Sequence, residues 1–204
     1  MLAQCPHISS TTRLSAQVAE AVNDGSNALS LDQALATLQN ITIAGYLSTT
    51  FLIATGTYDL LQNPEQLQML RDDPSLIPQA VRELLRYNAP AQIVERVAAV
   101  TVELSGVSIP KDAKIMAVIG SANRDESVFP NADQLDITRD TSQQIAFGTA
   151  DHECLGKPLV AQVAPVAFRT LLEELDYFAI DGTVQWQTDP FLRSVSNLPL
   201  TTES

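Results

Sequence analysis

Apolar residues recur with a helical period from Ser30 to Asn63-Pro64, the longest such run in the chain. Ser30 followed by Gln33 is a capping-box pattern that opens it. A helix of about 30 residues at 1.5 Å each would extend roughly 45 Å, which predicts the central beam of the fold. Pro64 restarts a short amphipathic helix through Leu70, and Asp72-Asp73-Pro74 ends it. Ser75 and Pro78 mark another helix start, with Ile77, Val81, Leu84 and Leu85 as its apolar stripe. The period then changes. Residues 97–104, 107–109 and 115–119 read as short strands, with turns at Ser105-Gly106 and Lys111-Asp112. Residues 123–144 are polar and proline-punctuated, a loop of a length that is usually functional or clamped. A last helix is expected over 158–175, kinked or broken at Pro165, with a short β-rich tail after it. The pattern predicts a mainly α fold with a small β component and no internal repeat.

Length and composition add limits. The chain has 204 residues, 45% of them hydrophobic, enough for one buried core. Its formal net charge of -12 offers no counter-charge to phosphate, which argues against nucleic acid or an anionic membrane as partner. Cys5 and Cys154 are the two cysteines, too few and too far apart for a disulfide framework, so a cytoplasmic setting is expected. The opening MLAQCPHISSTTRLS lacks the apolar core of a signal peptide. No charge falls between Asp32 and Asp59, but Gln39, Asn40, Thr42, Ser48, Thr49 and Thr50 interrupt the stretch. A buried helix is therefore expected there, not a membrane span. Cys5-Pro6 with His7 is read as part of an N-terminal tail over residues 1–14.

The chemistry concentrates in Phe147-Gly148-Thr149-Ala150-Asp151-His152-Glu153-Cys154-Leu155-Gly156. It places a lone cysteine in a loop that leads directly into a helix. Free N–H groups and the positive dipole end at a helix N-terminus stabilise a thiolate. A glycine two residues on lets backbone stay close to whatever the sulfur binds. On the residues alone, an inert buried cysteine is an equal reading.

The run resembles the cysteine-ligand loop of the cytochrome P-450 family, Phe-Gly-x-Gly-x-His-x-Cys-x-Gly, in its soluble bacterial form. The resemblance implies the C-terminal, heme-binding half of that fold over residues 15–204, with heme b (iron protoporphyrin IX) as cofactor. Cys154 would be the axial iron ligand, and a thiolate there favours O–O cleavage. His152 would meet a heme propionate, Phe147 would pack on the loop, and Gly148, Gly156 and Ala44 would lie against the cofactor. Ala150 replaces the pattern's second glycine, so the loop must absorb a methyl group.

Other segments carry the same resemblance. Glu83 and Arg86, at i and i+3, can pair on one helix face, and an ordinary surface pair is worth under ~1 kcal/mol. They match the family's Glu-x-x-Arg motif, for which Arg139 of the loop segment Asn123-Arg124-Asp125 to Arg139 would be the third, structural member. Arg96 stands where the family has an arginine for a propionate. Gln144 takes the place of a propionate-binding histidine and brings no positive charge. Ala44-Gly45-Tyr46-Leu47-Ser48-Thr49-Thr50 resembles the oxygen-activation segment, with Gly45, Ser48 and Thr49 as its catalytic members, but Leu47 stands at the acid position. After the cysteine, Lys157-Pro158-Leu159-Val160-Ala161 lacks the family's arginine, so recruitment of an acidic electron donor is disfavoured. Tyr46, Leu47, Ile93 and Val94 are the expected substrate contacts, with an apolar lining.

The segments that match correspond to the second half of the family's sequence. An apolar face is therefore expected to need a cover: a second copy, a companion subunit or a rearranged helix. Three functions follow from the resemblance. The first is a heme-thiolate oxidoreductase, oxygenase or peroxide-driven, acting on a small hydrophobic molecule in secondary metabolism. The second is a redox-neutral isomerase, dehydratase or cyclase, which needs no proton relay. The third is a heme-free descendant that serves as a binding protein or scaffold.

Overall fold

The computed structural model describes residues 14–23, 30–175 and 177–203; Cys5-Pro6-His7 lies outside them. The chain divides into two compact units, Met1–Leu47 and Ser48–Ser204.

The first unit holds helix α1 (Leu14–Asn23) and the opening turns of α2 (Leu31–Gln62). The capping box at its start is formed in both directions. Ser30 N donates to Gln33 Oε1 at 2.9 Å, and Gln33 N donates to Ser30 Oγ at 3.2 Å. Val18 and Ala34 are buried, but Leu31, Leu35, Ile41, Ile43, Tyr46 and Leu47 are exposed. The expectation of a helix buried along its length is corrected here: apart from Ala34 and the half-buried Leu38, the stretch from Leu31 through Leu47 is exposed. Among the described residues no helix is long and apolar enough to cross a membrane.

The second unit is mainly helical, with small antiparallel sheets. It contains the rest of α2, α3 (Pro64–Asp72), α4 (Ile77–Tyr87), the short α5 (Ile119–Ala122) and α6 (Lys157–Glu174). Its core joins Leu52 and Leu60 of α2, Ile77, Val81, Leu84 and Leu85 of α4, and Ala164 and Phe168 of α6. Gly56 makes that packing possible. A Cβ there would meet Phe168 Cζ at 2.8 Å and Leu84 Cδ1 at 3.0 Å. The missing methyl lets three helices converge, which offsets the ~1 kcal/mol that glycine costs inside a helix.

One further expectation needs correction. The strand read over 97–104 is two strands, β1 (Ile93–Val97) and β2 (Val102–Leu104). β1 pairs with β4 (Lys114–Val118), whereas β2 pairs with β3 (Val107–Ile109), so the chain changes partner between them. Ala98 marks the change, buried, with its N–H donating to Ala113 O at 3.0 Å. Ser105 and Gly106, at φ 49° and 78°, form the positive-φ pair that closes a two-residue hairpin. Of the two outcomes expected at Pro165, the break does not occur: α6 stays helical through it. Proline forfeits one backbone hydrogen bond, and burial of Ala164 and Phe168 on either side holds the helix together. The tail forms β5 (Tyr177–Ile180) with β8 (Leu200–Glu203), and β6 (Gln185–Trp186) with β7 (Val195–Asn197).

Candidate functional site

The cysteine loop closes on itself before α6 begins. Gly148 N donates to Ile145 O at 2.9 Å, Cys154 N donates to Phe147 O at 2.8 Å, and Lys157 N donates to Cys154 O at 3.2 Å. Cys154 is thereby fixed at the threshold of an 18-residue helix, whose N-terminal end is electropositive. Its thiol is free and exposed. Pro158 occupies the first turn of α6, where its missing N–H costs nothing.

Glycine is required at Gly148. Its φ is +73°, and a Cβ there would stand 3.0 Å from His152 O. At Gly156 a Cβ would lie 3.6 Å from Cys154 Sγ, ordinary contact distance. The departure at Ala150 is felt in the backbone: it sits at φ 53°, the left-handed region, where alanine costs roughly 1–2 kcal/mol. The residues fit a heme in kind. One soft, exposed sulfur stands on a glycine-lined loop ahead of a helix dipole, which is the donor arrangement that a thiolate-bound iron takes.

Glu83, Arg86 and Arg139 are brought together. Glu83 and Arg86 are both fully buried, joined by Nε–Oε2 at 2.7 Å and Nη2–Oε1 at 2.8 Å. Arg86 donates its remaining N–H groups to loop carbonyls: Nη1 to Asn123 O and Ala132 O, both at 2.9 Å, and Nη2 to Gln134 O at 3.2 Å. Arg139 Nε reaches Glu83 Oε1 at 3.2 Å, and its other nitrogens donate to Pro130, Asn131 and Gln134 carbonyls. A surface pair of marginal worth is thus replaced by a buried pair, extended by the partly exposed Arg139, that holds the irregular 123–144 segment by its backbone. Phe129 completes it, with Arg86 Cζ 5.4 Å from its ring.

The remaining candidates lie outside that network. Arg96 is exposed, and its Nη1 donates to the adjacent Glu95 O at 2.8 Å. Gln144 is half-buried; its Oε1 accepts from Ala146 N at 2.7 Å, which leaves the amide nitrogen as the end suited to an anion. Ile93 and Val94 are half-buried in β1, opposite Val118 and Ala117. On α2, Ala44, Gly45, Tyr46 and Leu47 are exposed, while Ser48 and Thr49 are half-buried. A Cβ at Gly45 would meet nothing within 4 Å among the described residues.

Sequence reasoning missed a buried pair. Asn88 Nδ2 donates to both oxygens of Asp59, at 2.9 and 2.8 Å, with Asp59 only 3% exposed. Burial pushes the Asp59 carboxyl up to about 6, against the opposing pull of Asn88, Arg193 and Arg124. The only signal in the sequence was an acid near the end of a long apolar helix.

The whole architecture has close counterparts. The family model described as Cytochrome P-450 matches residues 8–203. The chain is 37% identical over 181 residues to the 6-deoxyerythronolide B hydroxylase of Saccharopolyspora erythraea, covering 87% of this chain and 45% of that protein. It is 38% identical over 177 residues to the biotin biosynthesis cytochrome P-450 of Bacillus subtilis, covering 86% and 45%. Among solved structures, P450BioI bound to a fatty-acyl-ligated acyl carrier protein superposes with a TM-score of 0.88 at 34% identity, over 95% of this chain and 49% of that one. The P-450 monooxygenase TamI, bound to tirandamycin C, gives a TM-score of 0.91 at 29% identity, over 96% and 50%. The chain therefore spans about half the length of the relatives it matches. Loop, buried ion network and sequence match agree on one assignment: the chain belongs to the cytochrome P-450 family.

Proposed function

We propose that this chain forms the heme-thiolate part of an oxidoreductase, an oxygenase or a peroxide-driven enzyme, acting on a small hydrophobic molecule in bacterial secondary metabolism. The observation that carries this reading is Cys154, exposed and held by the 2.8 Å bond from its N–H to Phe147 O at the mouth of α6. Two similar proteins are by name a 6-deoxyerythronolide B hydroxylase and a cytochrome P-450 monooxygenase, which supports oxidative chemistry. The fold unit proposed for this role is residues 15–204, in a cytoplasmic setting.

In this proposal Cys154 ligates the iron of heme b, which when bound supplies oxygen or peroxide activation. His152, Arg96 and the amide of Gln144 hold the propionates, with only Arg96 bringing a permanent cation. Phe147, Gly148, Gly156 and Ala44 lie against the macrocycle. Gly45 keeps α2 free of a side chain, and the hydroxyls of Ser48 and Thr49 hold and pass protons. Leu47 brings no carboxylic acid to that relay. Tyr46, Leu47, Ile93 and Val94 contact the substrate through apolar surface.

Leu47 is also the observation that favours a second reading, a redox-neutral isomerase, dehydratase or cyclase that needs no relay. The left-handed Ala150 and the charge-free Gln144 favour a third, a heme-free scaffold or binding protein.

Another polypeptide, a second copy or a companion subunit, is proposed to cover the apolar side chains left in the open. Leu155 is 99% exposed, and Leu159, Val166, Val97 and Met116 are each more than half exposed. A net charge of -12 makes an acidic electron donor a poor match.

Expression with a heme precursor, followed by absorption spectroscopy and turnover assays, separates these readings. A Soret band together with peroxide- or reductase-driven oxidation of a hydrophobic substrate is the expected result. Heme without oxidative turnover would leave the redox-neutral reading, and no heme would leave the scaffold. A heme-bound monomer in light scattering would contradict the covering partner.

A further inference from the structure

The cysteine loop is tied to the buried ion pair through one side chain, Asn123. It is fully buried at the start of the irregular segment, with its N–H donating to Ile119 O at 2.9 Å. Its carbonyl accepts from Arg86 Nη1 at 2.9 Å. Its side-chain Oδ1 accepts from the backbone N–H of Ile145 at 2.8 Å, across 22 residues of chain. Ile145 is the residue whose carbonyl receives Gly148 N, and Phe147, two residues on, receives Cys154 N. Hydrogen bonds and two short stretches of backbone thus run from Glu83 and Arg86, through Asn123 and Ile145, to Gly148 and Cys154.

The other half of the Asn123 amide sharpens the point. Nδ2 is buried and has no hydrogen-bond partner among the described residues. A buried donor without a partner is costly, and an apolar side chain of similar shape would avoid that cost. Packing is thus a poor account of an amide at this position. What the amide contributes is an acceptor for the N–H of the half-buried Ile145, a backbone donor with little access to water.

We infer that Asn123 is a positioning residue for Cys154: its Oδ1 fixes the entry of the ligand loop at Ile145, so that the buried Glu83–Arg86 pair sets where the thiol stands. The functional consequence rests on the reading of Cys154 as an iron ligand. The loop geometry itself does not.

Amide hydrogen exchange on the full chain, without cofactor, tests the geometry. Asn123→Leu should speed exchange at Ile145, Gly148 and Cys154 on the order of tenfold, the effect of losing one hydrogen bond. Asn123→Asp, which keeps the acceptor, should restore protection. Gln66→Leu is the control, because Gln66 Oε1 accepts from Ile137 N at 2.9 Å elsewhere in the same irregular segment. It should free Ile137 and leave the cysteine loop protected. Equal loosening of the Cys154 amide by both leucine variants, or by neither, overturns the inference. Should Asn123→Leu not fold, a denaturant series on the unmodified chain decides instead. The Ile145, Gly148 and Cys154 amides must then share one opening free energy, and independent opening of Cys154 overturns the inference. In heme-loaded protein, Asn123→Leu should lower the thiolate-type fraction of the reduced CO complex, with Asn123→Asp restoring it. An unchanged fraction overturns the consequence for Cys154. If the unmodified chain takes up no heme, the function proposed above fails while the exchange result still decides the positioning role.

Discussion

Arg86 holds Glu83 through two hydrogen bonds of 2.7 and 2.8 Å at a place where neither side chain reaches water. With three further bonds to loop carbonyls, every N–H of the guanidinium has an acceptor. Removing one member strands the other as a buried, unpaired charge. Arg86→Met should therefore lower unfolding stability by about 3–5 kcal/mol, read from urea midpoints. Arg139→Met should cost less, because Arg139 is partly exposed and Glu83 keeps its bidentate partner. Equal losses in the two variants would contradict this ranking.

Asp59 predicts an unusual pH response. Its folded-state value, about 6, lies above the ordinary carboxyl value of 3.8 because burial disfavours the charge. Between those values the unfolded chain releases the proton and the folded chain keeps it. The contribution is complete below the ordinary value and is lost as pH rises through the folded value, on the order of 2–3 kcal/mol. Asp59→Asn should remove that loss. Stability curves of parent and variant should diverge between about pH 4 and pH 6 and run parallel above that window. Curves that stay parallel throughout would show that Asp59 titrates normally.

The left-handed Ala150, at φ 53°, makes a prediction of opposite sign to most substitutions. Ala150→Gly should stabilise the chain by about 0.5–1 kcal/mol, the relieved strain less the added freedom of the unfolded chain. Gly148→Ala should destabilise it by more than that, since φ is +73° and the methyl would press on His152 O. Thermal melts of the pair decide the matter.

Gly56→Ala should also destabilise, although alanine is the better helix former. The new methyl would stand 2.8 Å from Phe168 Cζ, and overpacking of about 1–3 kcal/mol outweighs the helix gain of ~1 kcal/mol. Gly56→Ala combined with Phe168→Leu should recover part of the loss in chemical denaturation, because the ring is what the methyl meets.

Local signals were the readable ones. The Ser30–Gln33 box, Pro64, the apolar stripe of α4 and the Ser105-Gly106 turn each depend on neighbours in sequence, and each appears as expected. The spacing of Glu83 and Arg86 showed that they could pair, but their burial comes from carbonyls at 123, 132 and 134, far along the chain. The start of β1 was missed because Glu95 and Arg96 break the apolar pattern, while the strand is defined by its pairing with β4. Asp59 and Asn88 lie 29 residues apart with no motif between them, so only tertiary packing makes them a pair. The exposed half of α2 was misread for a related reason. An apolar stretch predicts burial but does not say which surface provides it.

Ligation of heme iron by the Cys154 thiolate, as proposed here, has a spectroscopic signature. The reduced CO difference spectrum of the heme-reconstituted chain tests it most directly, recorded beside Cys154→Ala. The parent chain should give the thiolate-type band, and the variant should lose it while its far-UV circular dichroism stays unchanged. A parent spectrum without that band, or an identical band from Cys154→Ala, would contradict the claim.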